Sequence, residues 1–225
     1  RTRAHRVAVL GFLADLVERM KNHERIEVLT GAKINSVKGY VGNFETEIET
    51  GNGARVYEHG VIMVATGAGE CSGEEYLYGK DPRVLSQHDL EEKLSDMRES
   101  DLPEGETYVM IQCVGSRNDE RPWCSRVCCA QAVKNALRIK EINPRAEVYV
   151  LYRDMRTYGF KEEFYEEARD QGVIFLRYDP EKLPEIEPEE NRLLVKFEEQ
   201  IMREEVKIPA HYLVVSLGLE PASGR

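Results

Sequence analysis

The chain has 225 residues, 41% hydrophobic and 32% charged, a globular balance that excludes a disordered polypeptide. Its net charge of −10 argues against a nucleic-acid partner, which needs a basic surface to meet phosphates. No apolar run approaches the roughly 20 residues that span a bilayer, and no secretory signal is visible.

Val9, Leu13, Leu16 and Met20 recur at helical spacing and predict a helix over 8–22. Ile26–Leu29 and Lys33–Val37 read as strands. Phe44–Thr50 and Ala54–Glu58 flank Gly51-Asn52-Gly53, residues that tolerate the positive φ of a hairpin turn. Val61–Ala65 is a continuous apolar run of strand length, expected to be buried on both faces of a parallel sheet. It ends in Thr66-Gly67-Ala68-Gly69, where the backbone can turn tightly. An amphipathic helix is expected around Asp89–Met97, and Pro103-Glu104-Gly105 suits a boundary.

A βαβ unit follows. Tyr108–Cys113 is its first strand, Cys128–Glu141 its helix, stopped by Asn143-Pro144, and Glu147–Tyr152 its second strand. A helix over Lys161–Gln171 capped by Gly172 and a strand over Val173–Tyr178 come next. Asp179–Glu205 carries ten acidic and four basic residues and reads as an exposed β-hairpin. Tyr212–Leu217 is the closing buried strand. Both Val61–Thr66 and Leu213–Leu217 run into a glycine, an echo that suggests two linked nucleotide-fold lobes. Alternating strands and helices give an α/β doubly wound class. The chain opens on Arg1 and stops just after a strand, so it reads as a piece of a longer polypeptide.

Four of the five cysteines are spaced C-x10-C-x3-C-C: Cys113, Cys124, Cys128 and Cys129. Such clustering in a large acidic chain points to a reducing compartment and a metal site rather than to disulfide staples. Four thiolates suit a 4Fe-4S cluster and equally suit tetrahedral zinc. Unliganded packing is the plain alternative, since free cysteine buries well. Cys113 ends a strand and Cys128-Cys129 open a helix, whose N-terminal dipole favours thiolates and a negative cluster. Arg117, Arg121 and Arg126 could offset that charge. The G-x-G-x-x-G that would grip a pyrophosphate after this strand is missing, with only Gly115 in the loop, which argues against NAD(P)H there. Cys71 stands apart as a lone thiol.

These residues resemble a known family. Cys-Val-Gly-Ser-Arg-Asn at 113–118, Cys-Ser-Arg-Val-Cys-Cys at 124–129 and the segment 149–163, with its Arg-Thr-Tyr-Gly-Phe, closely resemble the A-type subunit of heterodisulfide reductase. So do 39–44, 64–68 and 75–84. The resemblance implies a thioredoxin-reductase-like flavoprotein with FAD and 4Fe-4S clusters, some relatives taking part in flavin-based electron bifurcation. It implies two nucleotide-binding lobes of the thioredoxin/glutathione reductase type with β-hairpin insertions. Residues 1–103 would be part of the FAD lobe, 104–211 an inserted NAD(P)-like βαβ lobe carrying the cysteines, and 212–225 a return to the FAD lobe.

Carried over by position, Cys113, Cys124, Cys128 and Cys129 would ligate one cluster. Ala65, Thr66, Gly67 and Gly218 would lie against FAD. Lys134 would face the flavin as a catalytic cation, although an exposed helix lysine is the plain alternative, as an ordinary turn is for Thr66-Gly67. Partners would be sister subunits of a heterodisulfide-reductase-like, hydrogenase or dehydrogenase complex in the cytoplasm, with ferredoxin or a disulfide as acceptor. A glycine-rich FAD motif and ferredoxin-type cysteine repeats, both features of that family, are missing from this sequence. A structural zinc module and an NAD(P)H-dependent disulfide oxidoreductase are the competing readings.

Overall fold

The computed structural model describes residues 3–71, 73–95, 97–98 and 105–222, with side chains described from residue 11. The proposed boundary at Pro103-Glu104 lies outside the described residues. Two compact units are present, Arg1–Ala65 and Thr66–Arg225.

The first unit holds helix α1 (Arg3–Lys21) and a three-stranded antiparallel sheet, β1 (Lys33–Tyr40), β2 (Asn43–Thr50) and β3 (Gly53–His59), in that order. The turn predicted at Gly51-Asn52-Gly53 joins β2 to β3, with Gly53 at φ +108°. Glu27 accepts hydrogen bonds from Arg55 Nη1 at 3.2 Å and Tyr57 Oη at 3.3 Å. Two expectations fail here. Ile26–Leu29 forms no strand, and neither does Val61–Ala65, where Met63 is 90% exposed. An apolar run becomes a buried strand only if other strands hydrogen-bond to its edges, and no described strand does so for Val61–Ala65.

The second unit comprises β4 (Ala68–Glu70), β5 (Val84–Ser86), α2 (Gln87–Ser95), β6 (Thr107–Val114), α3 (Cys128–Ile142), β7 (Glu147–Tyr152), α4 (Glu162–Asp170), β8 (Ile174–Arg177), β9 (Glu185–Pro188), β10 (Leu193–Glu199), β11 (Glu204–Ala210), β12 (Tyr212–Leu217) and β13 (Leu219–Pro221). Its centre is a five-stranded parallel sheet of order β5-β12-β6-β7-β8. All eight residues of β6 are buried, as a central parallel strand with both faces covered requires.

Alternation along these strands divides the core into two layers. Tyr108, Met110, Val148, Val150 and Val214 face the helices and pack with Leu90 and Leu94 of α2 and Ala132, Val133 and Ile139 of α3. Val109, Ile111, Leu151, Leu213 and Val215 face the other way, against Leu193, Val195, Phe197, Ile208 and Ala210. That second covering layer is an antiparallel sheet of order β11-β10-β9. The acidic segment is therefore three strands with a buried face, not an exposed hairpin. Lys196 and Glu198 lie on one side of β10, while Leu193, Val195 and Phe197, two residues apart, fill the core on the other, where Glu199 is buried too. Tyr212–Leu217 runs in the same sheet as Thr107–Val114.

Candidate functional site

Cys113 lies at the end of β6, Cys128 and Cys129 open α3, and Cys124 stands in the loop between them. In doubly wound sheets, ligands bind at the carboxyl ends of the strands. Between the register pairs Ile111–Val215 and Val114–Leu217, β6 uses three steps and β12 two. Gln112 and Cys113 therefore oppose Ser216 together, forming a β-bulge with Cys113 at φ +64°. Arg117 and Arg126 also adopt positive φ, at 57° and 64°. Left-handed backbone at non-glycine residues is costly and clusters at functional sites.

The loop between the cysteines is tied down on one side. Trp123 Nε1 donates to the Leu219 carbonyl at 3.0 Å, Arg121 Nε to Glu220 Oε1 at 2.6 Å, and the Leu219 N–H to Ser125 Oγ at 2.8 Å. On its other side, Arg153 Nη1 donates to the Arg117 carbonyl at 2.9 Å, and Arg117 and Arg156 both pair with Asp154. Arg117 Nη1 stands 3.8 Å from Cys113 Sγ. Arg153 and Arg156 come from the second strand's exit, and only Arg117 and Arg121 belong to the set expected from sequence. The adjacent Tyr-Arg-Asp-Met-Arg run held the signal for Arg153 and Arg156.

Burial raises the thiol pKa of Cys113, Cys128 and Cys129, that of Cys128 to about 11. A charge on Cys124 adds to the rise at each of these three. Arg117 and Arg153 oppose this at Cys113, the Ser125 hydroxyl at Cys128, and the Arg156 backbone at Cys129. A bound cation would invert that balance, because coordination deprotonates thiols outright. No side chain caps α3, so the amides of its first turn favour negative charge nearby. All four cysteines are free thiols. In donor chemistry and surrounding charge they suit a thiolate-bound centre. Among the described residues, no three His, Cys, Asp or Glu side chains are already gathered at metal-binding distance.

The remaining candidates are dispersed. Lys134 Nζ pairs with Glu91 Oε2 at 2.5 Å on the α2–α3 surface. Gly67 has φ +73° with open space around its Cα, and its carbonyl accepts from the Ala222 N–H at 3.1 Å. Thr66 and Ala65 are exposed. Gly218 is glycine for a local reason: a Cβ there would lie 2.9 Å from Ser116 Cβ and 3.0 Å from the Gly115 carbonyl oxygen. Its carbonyl accepts from the Cys71 N–H at 2.8 Å, and β4 pairs with β13 beyond it. The segment after Thr66 and the segment after Gly218 thus run side by side.

No protein-family model matches the chain. It is 40% identical over 176 residues to the A-type subunit of the H(2)/formate:CoB-CoM heterodisulfide,ferredoxin reductase of Methanococcus maripaludis, covering 72% of this chain and 27% of that one. It is 29% identical to the A-type iron-sulfur subunit of the CoB--CoM heterodisulfide reductase of Methanocaldococcus jannaschii, over 94% of this chain and 46% of that one. The chain therefore spans from about a quarter to under half of the length of these relatives. Among solved structures, thioredoxin reductase of T. acidophilum superposes with a TM-score of 0.50 at 16% identity, over 95% of this chain and 60% of that one. The fold is of the thioredoxin-reductase type, and by its sequence matches the chain belongs to the family of heterodisulfide reductase A-type subunits.

Proposed function

We propose that this chain is the cluster-bearing part of an electron-transfer oxidoreductase of the heterodisulfide reductase kind. In this reading Cys113, Cys124, Cys128 and Cys129 hold one 4Fe-4S cluster. The observation that carries it is four neighbouring free thiols at a strand end and a helix start, set among arginines, where a nucleotide fold would grip a pyrophosphate. When bound, such a cluster supplies one-electron storage and relay. The chain's own residues fix the distance and the potential. Arg117 and the α3 N-terminus offset the negative charge, and burial of Cys113 and Cys129 keeps water from the sulfurs.

FAD is the second cofactor in this reading, supported by the thioredoxin-reductase-type fold and by the open turn at Ala65, Thr66 and Gly67. Gly218, which packs closely against the Gly115–Ser116 turn, is proposed to lie against FAD as well. Lys134, here paired with Glu91, is proposed to face the flavin. The relatives' names carry ferredoxin and a CoB–CoM heterodisulfide, so sister subunits, ferredoxin and a disulfide acceptor are the proposed partners. The proposed location is the cytoplasm. No described helix is long and apolar enough to cross a membrane.

Anaerobic reconstitution with iron and sulfide tests the assignment. Native protein should carry about four irons and four sulfides per chain with broad visible absorption. Cys124→Ser should lose them and Cys71→Ser should not. An unchanged iron count in Cys124→Ser, or stoichiometric zinc without visible absorption in anaerobically purified protein, would overturn the reading.

A further inference from the structure

Among the described residues, two side chains at the ends of the central strands have no hydrogen-bond partner. Gln112 is 0% exposed, and neither its Oε1 nor its Nε2 is paired. Ser216 is 1% exposed, and its Oγ is unpaired too. Buried polar groups are nearly always satisfied, and an exception calls for a specific cause such as a redox role or a bound group. The third such side chain, Gln87, differs in kind: its Nε2 is unpaired, but its amide oxygen already accepts from Asn135 Nδ2 at 2.8 Å.

The bulge puts these two residues together beside the cysteines. Gln112 and Cys113 jointly oppose Ser216 across the β6–β12 pair. Ser216 is followed by Leu217, whose carbonyl lies 3.7 Å from the Cys128 thiol. Gln112 continues the row of Tyr108 and Met110, and Ser216 continues that of Val214, so both face the helix layer. There α3 packs on β6 and β12, and it opens with Cys128 and Cys129.

We propose that Gln112 and Ser216 are hydrogen-bond donors to the sulfurs of the cluster and thereby raise its reduction potential. The inference rests on the cluster reading given under the proposed function. Uptake of one electron makes a thiolate-bound cluster more negative, and donors aimed at its sulfurs favour that reduced form. The two donors lie in a layer sealed from water, where their effect is little screened.

The test uses anaerobically iron-loaded protein, redox-titrated by visible absorption and electron paramagnetic resonance, with iron and sulfide counted in the same samples. Gln112→Met keeps the side chain's length without its N–H donors, and Ser216→Ala removes only the hydroxyl. Both variants should hold full iron, and both midpoints should fall. A tenfold change in the one-electron equilibrium, about 59 mV, is expected for Gln112→Met. Metal-free Gln112→Met should melt no lower than native protein, since it removes a buried group that had no partner. Full iron with unmoved midpoints in both variants would overturn the proposal and leave the cluster reading intact. Native protein that takes up no iron would overturn both. If Gln112→Met does not fold, its amide is structural, and the Ser216→Ala midpoint alone decides the hydroxyl's role.

Discussion

Cys71 occupies the space that a side chain at position 115 would need: a Cβ built on Gly115 would lie 2.9 Å from Cys71 Sγ and 3.3 Å from Glu75 Oε2. The thiol that stands alone in the sequence is the floor under the turn between Cys113 and Ser116, 3% exposed and 3.8 Å from the Gly115 carbonyl oxygen. Gly115→Ala would meet both this contact and a φ of +66°. It should destabilise the second unit by about 1–3 kcal/mol. Urea denaturation of native and variant protein measures it, and an unchanged midpoint would contradict the packing.

Leu193 and Leu194 give a matched pair for the three-stranded layer. Leu193 is 0% exposed, and its neighbour lies half-buried on the other face. Leu193→Ala should cost about 2–5 kcal/mol, and Leu194→Ala clearly less. Equal losses would mean that β10 does not bury one face.

Arg83 fixes Asp81 by hydrogen bonds at 3.0 Å and 2.7 Å and also donates to the Glu189 and Arg192 carbonyls at 2.9 Å and 3.1 Å, gripping the β9–β10 turn. Those side-chain hydrogen bonds hold the Asp81 carboxyl below its usual range. A depressed carboxylate contributes stability that is present above its unfolded pKa, about 3.9, and is lost as pH falls through the folded value. Asp81→Asn should therefore be less stable than native protein at pH 7, with the gap closing as the pH falls below about 4. Denaturation midpoints across pH 2–7 check this; a gap that widens on acidification would refute it.

Lys134 and Glu91 are each about half exposed, at 52% and 45%. Lys134→Met should change stability by less than about 1 kcal/mol, because a solvated ion pair gains little. Thermal unfolding tests that. A larger loss would mean that the pair braces α2 against α3.

The βαβ unit was legible because each of its parts is local. Eight apolar-rich residues, a helix period and Asn143-Pro144 stand close together along the chain, and the helix stops at Ile142. The cysteine placement followed from those elements. What failed depended on distant partners. Val61–Ala65 has strand composition and no described strand beside it. β5 is three residues long, too short for any period to register. In Asp179–Glu205 abundant charge hid the alternation of Leu193, Val195 and Phe197. The bulge at Cys113 needed β12, a strand about 100 residues onward. One signal was present and passed over: Gln112 and Ser216 are polar interruptions at matching places in two apolar strands.

The sheet order carries a consequence for how the second unit forms. β12 sits between β5 and β6, yet it is the last of the five parallel strands along the chain. Until Tyr212–Leu217 has left the ribosome, β5 has no neighbour and β6 offers a bare edge to any passing chain. Closing a loop of that size is entropically unfavourable and slow. The thiols of the β6–α3 loop are therefore synthesised well before the strand that completes the sheet beneath them.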